Sequence, residues 1–325
     1  MDEAPLVAGI ELGGTKCVCL LASGPSDIRA EQRIATAAPQ HTLAAIREVL
    51  SRWQGEHGFA ALGLASFGPL DLEPDSAGFG RALGTPKPGW EDVPLVESFR
   101  SFGVPTALDT DVNAAALAEG EWGAARGLHT FTYVTVGTGV GVGIVAAGRT
   151  LHGLGHAEAG HQRVPRLAGS TWPGNCPFHA DCVEGLASGP AILARSGIAP
   201  ERLPADHPAW DEVVHTLAAL FHNLVLTVVP QRIVAGGGVI GGQGGLLGRL
   251  RLALVESLGG YAHGRRLNGE IDEFLVAPAL GERSGTLGAI ALARQELTSA
   301  AAGAPQGARA AGNQTAHAKS LKEEP

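Results

Sequence analysis

The chain has 325 residues, 45% hydrophobic, 17% charged and 5% aromatic, with a formal net charge of −8. That balance excludes a largely disordered chain and suits a globular protein long enough for two lobes with a substantial core. The negative charge argues against nucleic acid as a partner, so any bound phosphate must be held by backbone N–H groups, a metal ion and a few local cations.

Met1-Asp2-Glu3 is acidic where a secretory signal is basic, and no run of about 18 uncharged apolar residues occurs, so a cytoplasmic address and no membrane partner are expected. Leu6 to Glu11 is an apolar strand leading into Gly13-Gly14-Thr15-Lys16, and Cys17 to Ala22 continues apolar, as in a hairpin with a glycine-built turn. Cys17 and Cys19, two apart on that strand, read as small core hydrophobes. Leu43 to Trp53 has helical periodicity, Ala61 to Ser66 reads as a buried strand, and Phe67 to Trp90 is a long irregular run rich in Gly and Pro. Asp92 to Phe102 predicts a helix, Thr106 to Asp109 a short strand, and Asp111 to Gly120 a helix opening on an acidic side chain. Phe131 to Val136 and Val140 to Ala147 flank Gly137-Thr138-Gly139, so the glycine-turn hairpin occurs twice, which is an architectural clue. Trp210 to Val229 reads as a long helix, Arg232 to Ala235 as a strand ending in Gly236-Gly237-Gly238, and Ser284 to Gln295 as an apolar helix. From Leu297 onward periodicity is lost, and residues 298–325 are expected to be a disordered tail.

Three glycine clusters therefore follow or join apolar strands: Gly13-Gly14, Gly137 to Gly141 and Gly236 to Gly238. Glycine lets backbone N–H groups approach an anion closely, and three such turns point to a nucleotide. None has the Gly-Lys-Ser/Thr ending of a P-loop, and none shows Gly-x-Gly-x-x-Gly opening a helix, which disfavours a Rossmann reading. Asp109-Thr110-Asp111-Val112-Asn113 stands between a strand and a helix, where a carboxylate can serve as base toward a hydroxyl attacking a γ-phosphate. Asp111 is the candidate, with Asp109 as its structural neighbour; a plain N-cap for the helix from Val112 to Glu119 explains Asp111 equally well.

Cys176, His179 and Cys182 recur at a spacing of three, and His161 lies upstream as a fourth ligand, closing a Cys2His2 set without open coordination, as in a structural zinc knot over 161–182. The loop from Arg163 to Asn175 has little periodicity, and zinc would supply its order. The alternative is a pair of reduced thiols beside incidental histidines. Glu158 and His161, three apart, and Glu184, two beyond the last cysteine, together offer carboxylates and imidazole to vicinal hydroxyls; a solvated Glu is the default for each.

These residues carry a resemblance over roughly 6–297. Gly9-Ile10-Glu11-Leu12-Gly13-Gly14-Thr15-Lys16 resembles the first phosphate motif of the ROK family of sugar kinases, in the actin/hexokinase-like superfamily. Ala65 to Pro69, Thr85 to Trp90 and Asp109 to Asn113 resemble cleft and base motifs of its bacterial fructokinase branch. Cys176 to His179, running on to Gly189-Pro190, resembles that branch in having His as the middle ligand, where many ROK glucokinases have Cys.

The resemblance implies an α/β fold of two actin-like (ribonuclease H-like) lobes around a nucleotide and sugar cleft. Residues 1–112 would form a small lobe, with helix 285–297 packing back on it, and 113–284 a large lobe carrying the zinc knot. It implies ATP- and Mg²⁺-dependent phosphorylation of D-fructose at the 6-hydroxyl, with Asp111 as base and Asn113, Glu158, His161 and Glu184 around the sugar. Gly13, Gly14, Thr15, Lys16, Thr138, Gly139, Gly237 and Gly238 would hold ATP. His161, Cys176, His179 and Cys182 would hold structural Zn²⁺, and Glu11 would make a water-mediated contact to Mg²⁺. His161 would bind zinc through one ring nitrogen and a sugar hydroxyl through the other. A homodimer is expected by fold analogy. The chain departs from the branch at Gly155-His156-Ala157, where a proline precedes the Glu. A ROK glucokinase or N-acylhexosamine kinase, and a catalytically silent sugar sensor, are the rival readings. A ROK repressor needs an N-terminal helix-turn-helix, for which the position of the first phosphate motif leaves no room.

Overall fold

The computed structural model describes residues 4–85 and 87–301 and is built on two five-stranded sheets. The first contains β1 (Val7–Leu12), β2 (Lys16–Gly24), β3 (Asp27–Ala35), β4 (Leu62–Ser66) and β5 (Thr106–Thr110), with α1 (Pro39–Glu56) between β3 and β4 and α2 (Asp111–Trp122) leaving β5. Its order is β3-β2-β1-β4-β5: β1 to β3 form an antiparallel meander, and β4 and β5 add in parallel.

The second sheet repeats this plan. It contains β6 (Phe131–Val136), β7 (Val140–Ala146) and β8 (Arg149–Thr150). After α3 (Val183–Ala187), α4 (Gly189–Ser196) and α5 (Ala209–Thr227) come β9 (Ile233–Gly236), α6 (Gly238–Gly241), α7 (Leu246–Leu258), α8 (Gly264–Phe274) and β10 (Leu275–Val276). The order β8-β7-β6-β9-β10 matches β3-β2-β1-β4-β5 position for position, with β6/β7 antiparallel and β6, β9 and β10 parallel. The duplicated glycine-turn hairpin is thus the start of each half of a duplicated sheet.

The last helix, α9 (Ser284–Ala301), and α2 lie between the sheets, and small residues let the layers meet. A Cβ on Gly63 of β4 would lie 1.9 Å from the Ala289 carbonyl oxygen of α9; one on Gly288 of α9 would lie 2.3 Å from the Ala114 carbonyl carbon of α2; one on Gly143 of β7 would lie 2.2 Å from the Val112 carbonyl oxygen of α2. These backbone contacts run sheet, α9, α2, sheet, and they fix the N-terminus of α2 against both halves. Trp53, Phe99 and Trp90 are buried beneath the first sheet, and Trp210 and Phe221 of α5 beneath the second.

Two expectations are corrected. Asp92 to Phe102 is helical only from Glu97, as a 3-10 turn to Phe102. Asp92 has φ of 60°, Pro94 pairs with Arg81 as a single bridge, and the Leu95 N–H donates to the Gly80 carbonyl, so this backbone is tied to residues 80–82 and not to its own helix. Of the tail expected at 298–325, residues 298–301 belong to α9, which continues to Ala301; the rest of that expectation lies outside the described residues. No helix among the described residues is long and apolar enough to cross a membrane.

Candidate active site

Asp111 is the first residue of α2, and Thr110 caps it: the Thr110 hydroxyl accepts the Asn113 N–H at 3.1 Å. Capping therefore does not account for Asp111, whose Oδ1 accepts the adjacent Val112 N–H at 2.8 Å. Burial pushes the Asp111 carboxyl up to about 7, with the charge of Glu11 and then of Glu158 adding to the rise. A carboxyl titrating there can take a proton at neutral pH. Asp109 is buried and holds the turn from behind, accepting the Thr110 N–H and the Asn113 amide, both at 2.7 Å. Asn113, expected beside the sugar, is buried as well. Its Oδ1 accepts the Ile144 N–H of β7 at 3.3 Å while its amide donates to Asp109, so it joins the turn to the second sheet.

The four expected zinc ligands converge. His161 Nδ1 lies 3.6 Å from both Cys176 Sγ and Cys182 Sγ, His179 Nδ1 lies 3.9 Å from Cys176 Sγ, and all four donor atoms lie within 4.8 Å of one another. A tetrahedral zinc ion has S···N edges of about 3.5 Å, so the donor set fits in both chemistry and spacing. The knot is clamped onto α3: Cys182 precedes its first turn, and a Cβ on Gly185 would lie 1.9 Å from the Ala180 carbonyl oxygen. His161 turns its other nitrogen, Nε2, toward Glu158 Oε2 at 3.9 Å. Burial and the charge of Glu184 push the Glu158 carboxyl up to about 7. Glu184, in the first turn of α3, accepts the Val140 N–H at 3.0 Å, and a Cβ on Gly139 would lie 2.6 Å from its carboxylate. Glycine at 139 therefore makes room for Glu184.

The glycine turns open toward solvent: Gly14, Thr15, Lys16, Thr138 and Gly238 are exposed, and Gly13, Gly139 and Gly237 partly so. The second and third clusters meet, since a Cβ on Gly237 (φ 89°) would lie 2.5 Å from the Val136 carbonyl oxygen. Lys87 reaches the first, its ammonium donating to the Gly14 carbonyl. Glu11 is the penultimate residue of β1, just ahead of that turn; the Thr286 hydroxyl of α9 donates to its Oε2 at 3.1 Å, and burial pushes its carboxyl up. The charges of Glu11 and Glu158 act on Asp111, and that of Glu184 acts on Glu158, so the four carboxylates share one electrostatic neighbourhood. Hard carboxylate oxygens of this kind suit a magnesium ion.

Sequence reading places Thr110 and Lys87 in the base and cleft motifs and His156 at a departure from the branch without giving their contacts, and it misses His152; His152 lies 3.0 Å from Asp109 Oδ2 and His156 lies 3.4 Å from Glu158 Oε1. His152 and His156 flank two glycines in His152-Gly153-Leu154-Gly155-His156, and that spacing is the signal available for them.

The ROK family model matches residues 7–296. The chain is 40% identical over 298 residues to a fructokinase of Zymomonas mobilis, covering 90% of this chain and 97% of that one. It is similar to the crystal structure of a ROK hexokinase from Thermus thermophilus, with a TM-score of 0.75 and 28% identity over 90% of this chain and 99% of that one. It is also similar to a ROK family glucokinase from Streptomyces griseus in complex with glucose and AMPPNP, with a TM-score of 0.70 and 25% identity over 89% and 99%. With the family model matching nearly the whole length and the fold in agreement, the chain belongs to the ROK family.

Proposed function

We propose that this protein is a sugar kinase that transfers the γ-phosphoryl group of ATP to the 6-hydroxyl of D-fructose, giving fructose 6-phosphate and ADP. The observation that carries the reading is Asp111: a carboxyl freed from capping, raised to about 7, and set among the glycine turns and the Glu158/His161/Glu184 group. The fructokinase of Zymomonas mobilis supports the choice of sugar, and the glucokinase solved with glucose and AMPPNP supports ATP as phosphoryl donor.

In this reading Asp111 takes the proton of the attacking hydroxyl, the sugar oxygen bonds to the γ-phosphorus, and the bond to ADP breaks in line. Glu158, His161 and Glu184 orient the hexose, and Gly13, Gly14, Thr15, Lys16, Thr138, Gly139, Gly237 and Gly238 line the path of the ATP phosphates. A magnesium ion, when bound near Glu11, supplies charge neutralisation for those phosphates. His161, Cys176, His179 and Cys182 would hold zinc, which fixes the turns carrying Glu158 and Glu184. Residues 1–112 and 113–284 act as two lobes about the cleft, α9 returns to the first, and two copies form a homodimer.

Product analysis tests this. Incubation with ATP, magnesium and fructose should give equal amounts of ADP and fructose 6-phosphate by phosphorus NMR. Phosphate at another position, or none on fructose, would overturn it.

A further inference from the structure

Residues 152–156 form a tight hairpin. His152 and His156 pair as a single antiparallel bridge, and the Gly153 N–H donates to the Gly155 carbonyl at 2.9 Å. Leu154 at its tip is fully exposed, whereas the His156 side chain is 4% exposed. The two histidines at the base face different parts of the chemistry. His152 Nε2 lies 3.0 Å from Asp109 Oδ2, on the carboxylate that also holds the Thr110 N–H and the Asn113 amide, and so reaches the turn that carries Asp111. His156 Nε2 accepts the Leu70 N–H at 3.0 Å, across 86 residues of sequence. An amide N–H can only donate, so the ring proton of His156 sits on Nδ1, and Nδ1 lies 3.4 Å from Glu158 Oε1. Burial holds the His156 pKa below its ordinary value, in keeping with a neutral ring. Gly68 packs closely on the pair: a Cβ there would lie 3.1 Å from His156 Cε1 and 3.3 Å from Glu158 Oε1.

We infer, resting on the kinase reading above, that His156 and His152 are separate positioning residues: His156 sets the Glu158 carboxylate and with it hexose binding, while His152 sets the Asp109 turn and with it the base and turnover. One short hairpin thereby couples the sugar carboxylate to the base, with neither histidine touching the reacting atoms.

Steady-state kinetics on the full, zinc-replete chain tests this. His156→Leu should raise KM for fructose about tenfold or more, the loss expected when the Leu70 N–H and the Glu158 carboxylate lose the polar ring between them, with kcat and KM for ATP within about threefold. His156→Gln, which carries both an acceptor and a donor, should recover most of the loss. His152→Leu should lower kcat about tenfold or more with KM for fructose within about threefold. The same change in both constants for both variants, or no rescue by Gln, would reduce the hairpin to scaffold and overturn the inference. Wild type that turns over another hexose but not fructose defeats only the choice of sugar, and the split is then read with that hexose. Should no hexose be turned over, nitrogen NMR of the rings decides: His156 protonated at Nδ1 supports the arrangement, and Nε2–H overturns it.

Discussion

The hydroxyl of Thr110 accepts the N–H of Asn113 at 3.1 Å, which leaves Asp111 in the first turn of α2 with no structural duty that an amide could not perform. Asp111→Asn should therefore lower turnover at least ~10²-fold, as lost general-base catalysis does. It should also stabilise the fold at pH 8. Burial pushes the Asp111 carboxyl from its ordinary 3.8 up to about 7 in the folded chain, so ionising it costs folded-state stability as pH rises through that window. Removing the charge should add about 1–4 kcal/mol at pH 8, a gain that fades toward pH 4. Thermal melts at the two pH values check the sign.

The same titration sets the pH profile. A base must be unprotonated to act, so kcat/KM for the hexose should fall as pH drops below about 7, close to tenfold per pH unit. A profile flat from pH 6 to 8, measured with constant ionic strength, would separate Asp111 from the proton transfer.

Cys176→Ser removes one sulfur from the four-donor cluster and should abolish stoichiometric zinc, measured by metal analysis. The loss should destabilise the fold by more than about 2 kcal/mol, as metal loss commonly does. Because His161 and the start of α3 are held by the same cluster, KM for the hexose should rise as well.

Gly143→Ala places a methyl 2.2 Å from the Val112 carbonyl oxygen, at the turn that carries Asp111. Overpacking of this kind costs roughly 1–3 kcal/mol. Turnover should drop with it, while KM for ATP stays near the wild-type value. Unaltered turnover and melting would mean that β7 does not fix α2.

Much of the fold is legible in the sequence because it is built from apolar runs bounded by glycine, and both hairpins are of that kind. What is missed has physical reasons. β3 alternates Asp27, Arg29, Glu31 and Arg33 at a mostly exposed edge, so its strand character comes from pairing with β2 and leaves no hydrophobic signal. Leu246, Leu250, Leu254 and Leu258 of α7 repeat at four and are all buried, but they lie between glycine runs that read as loop. The four Cys and His donors that converge are legible from their spacing. Asn113 is legible as a member of the base motif but not in its bonding to Ile144, and Asp109 beside His152 and Leu70 beside His156 lie too far along the chain for any local pattern to expose them.

The most direct test is kcat/KM measured side by side for fructose, glucose and N-acetylmannosamine with ATP and magnesium, on protein whose zinc content is known. The expected result is fructose-selective turnover with about one zinc per chain. Equal rates on the three sugars would contradict the choice of substrate, and zinc-loaded protein that binds a hexose without releasing ADP would contradict the kinase itself.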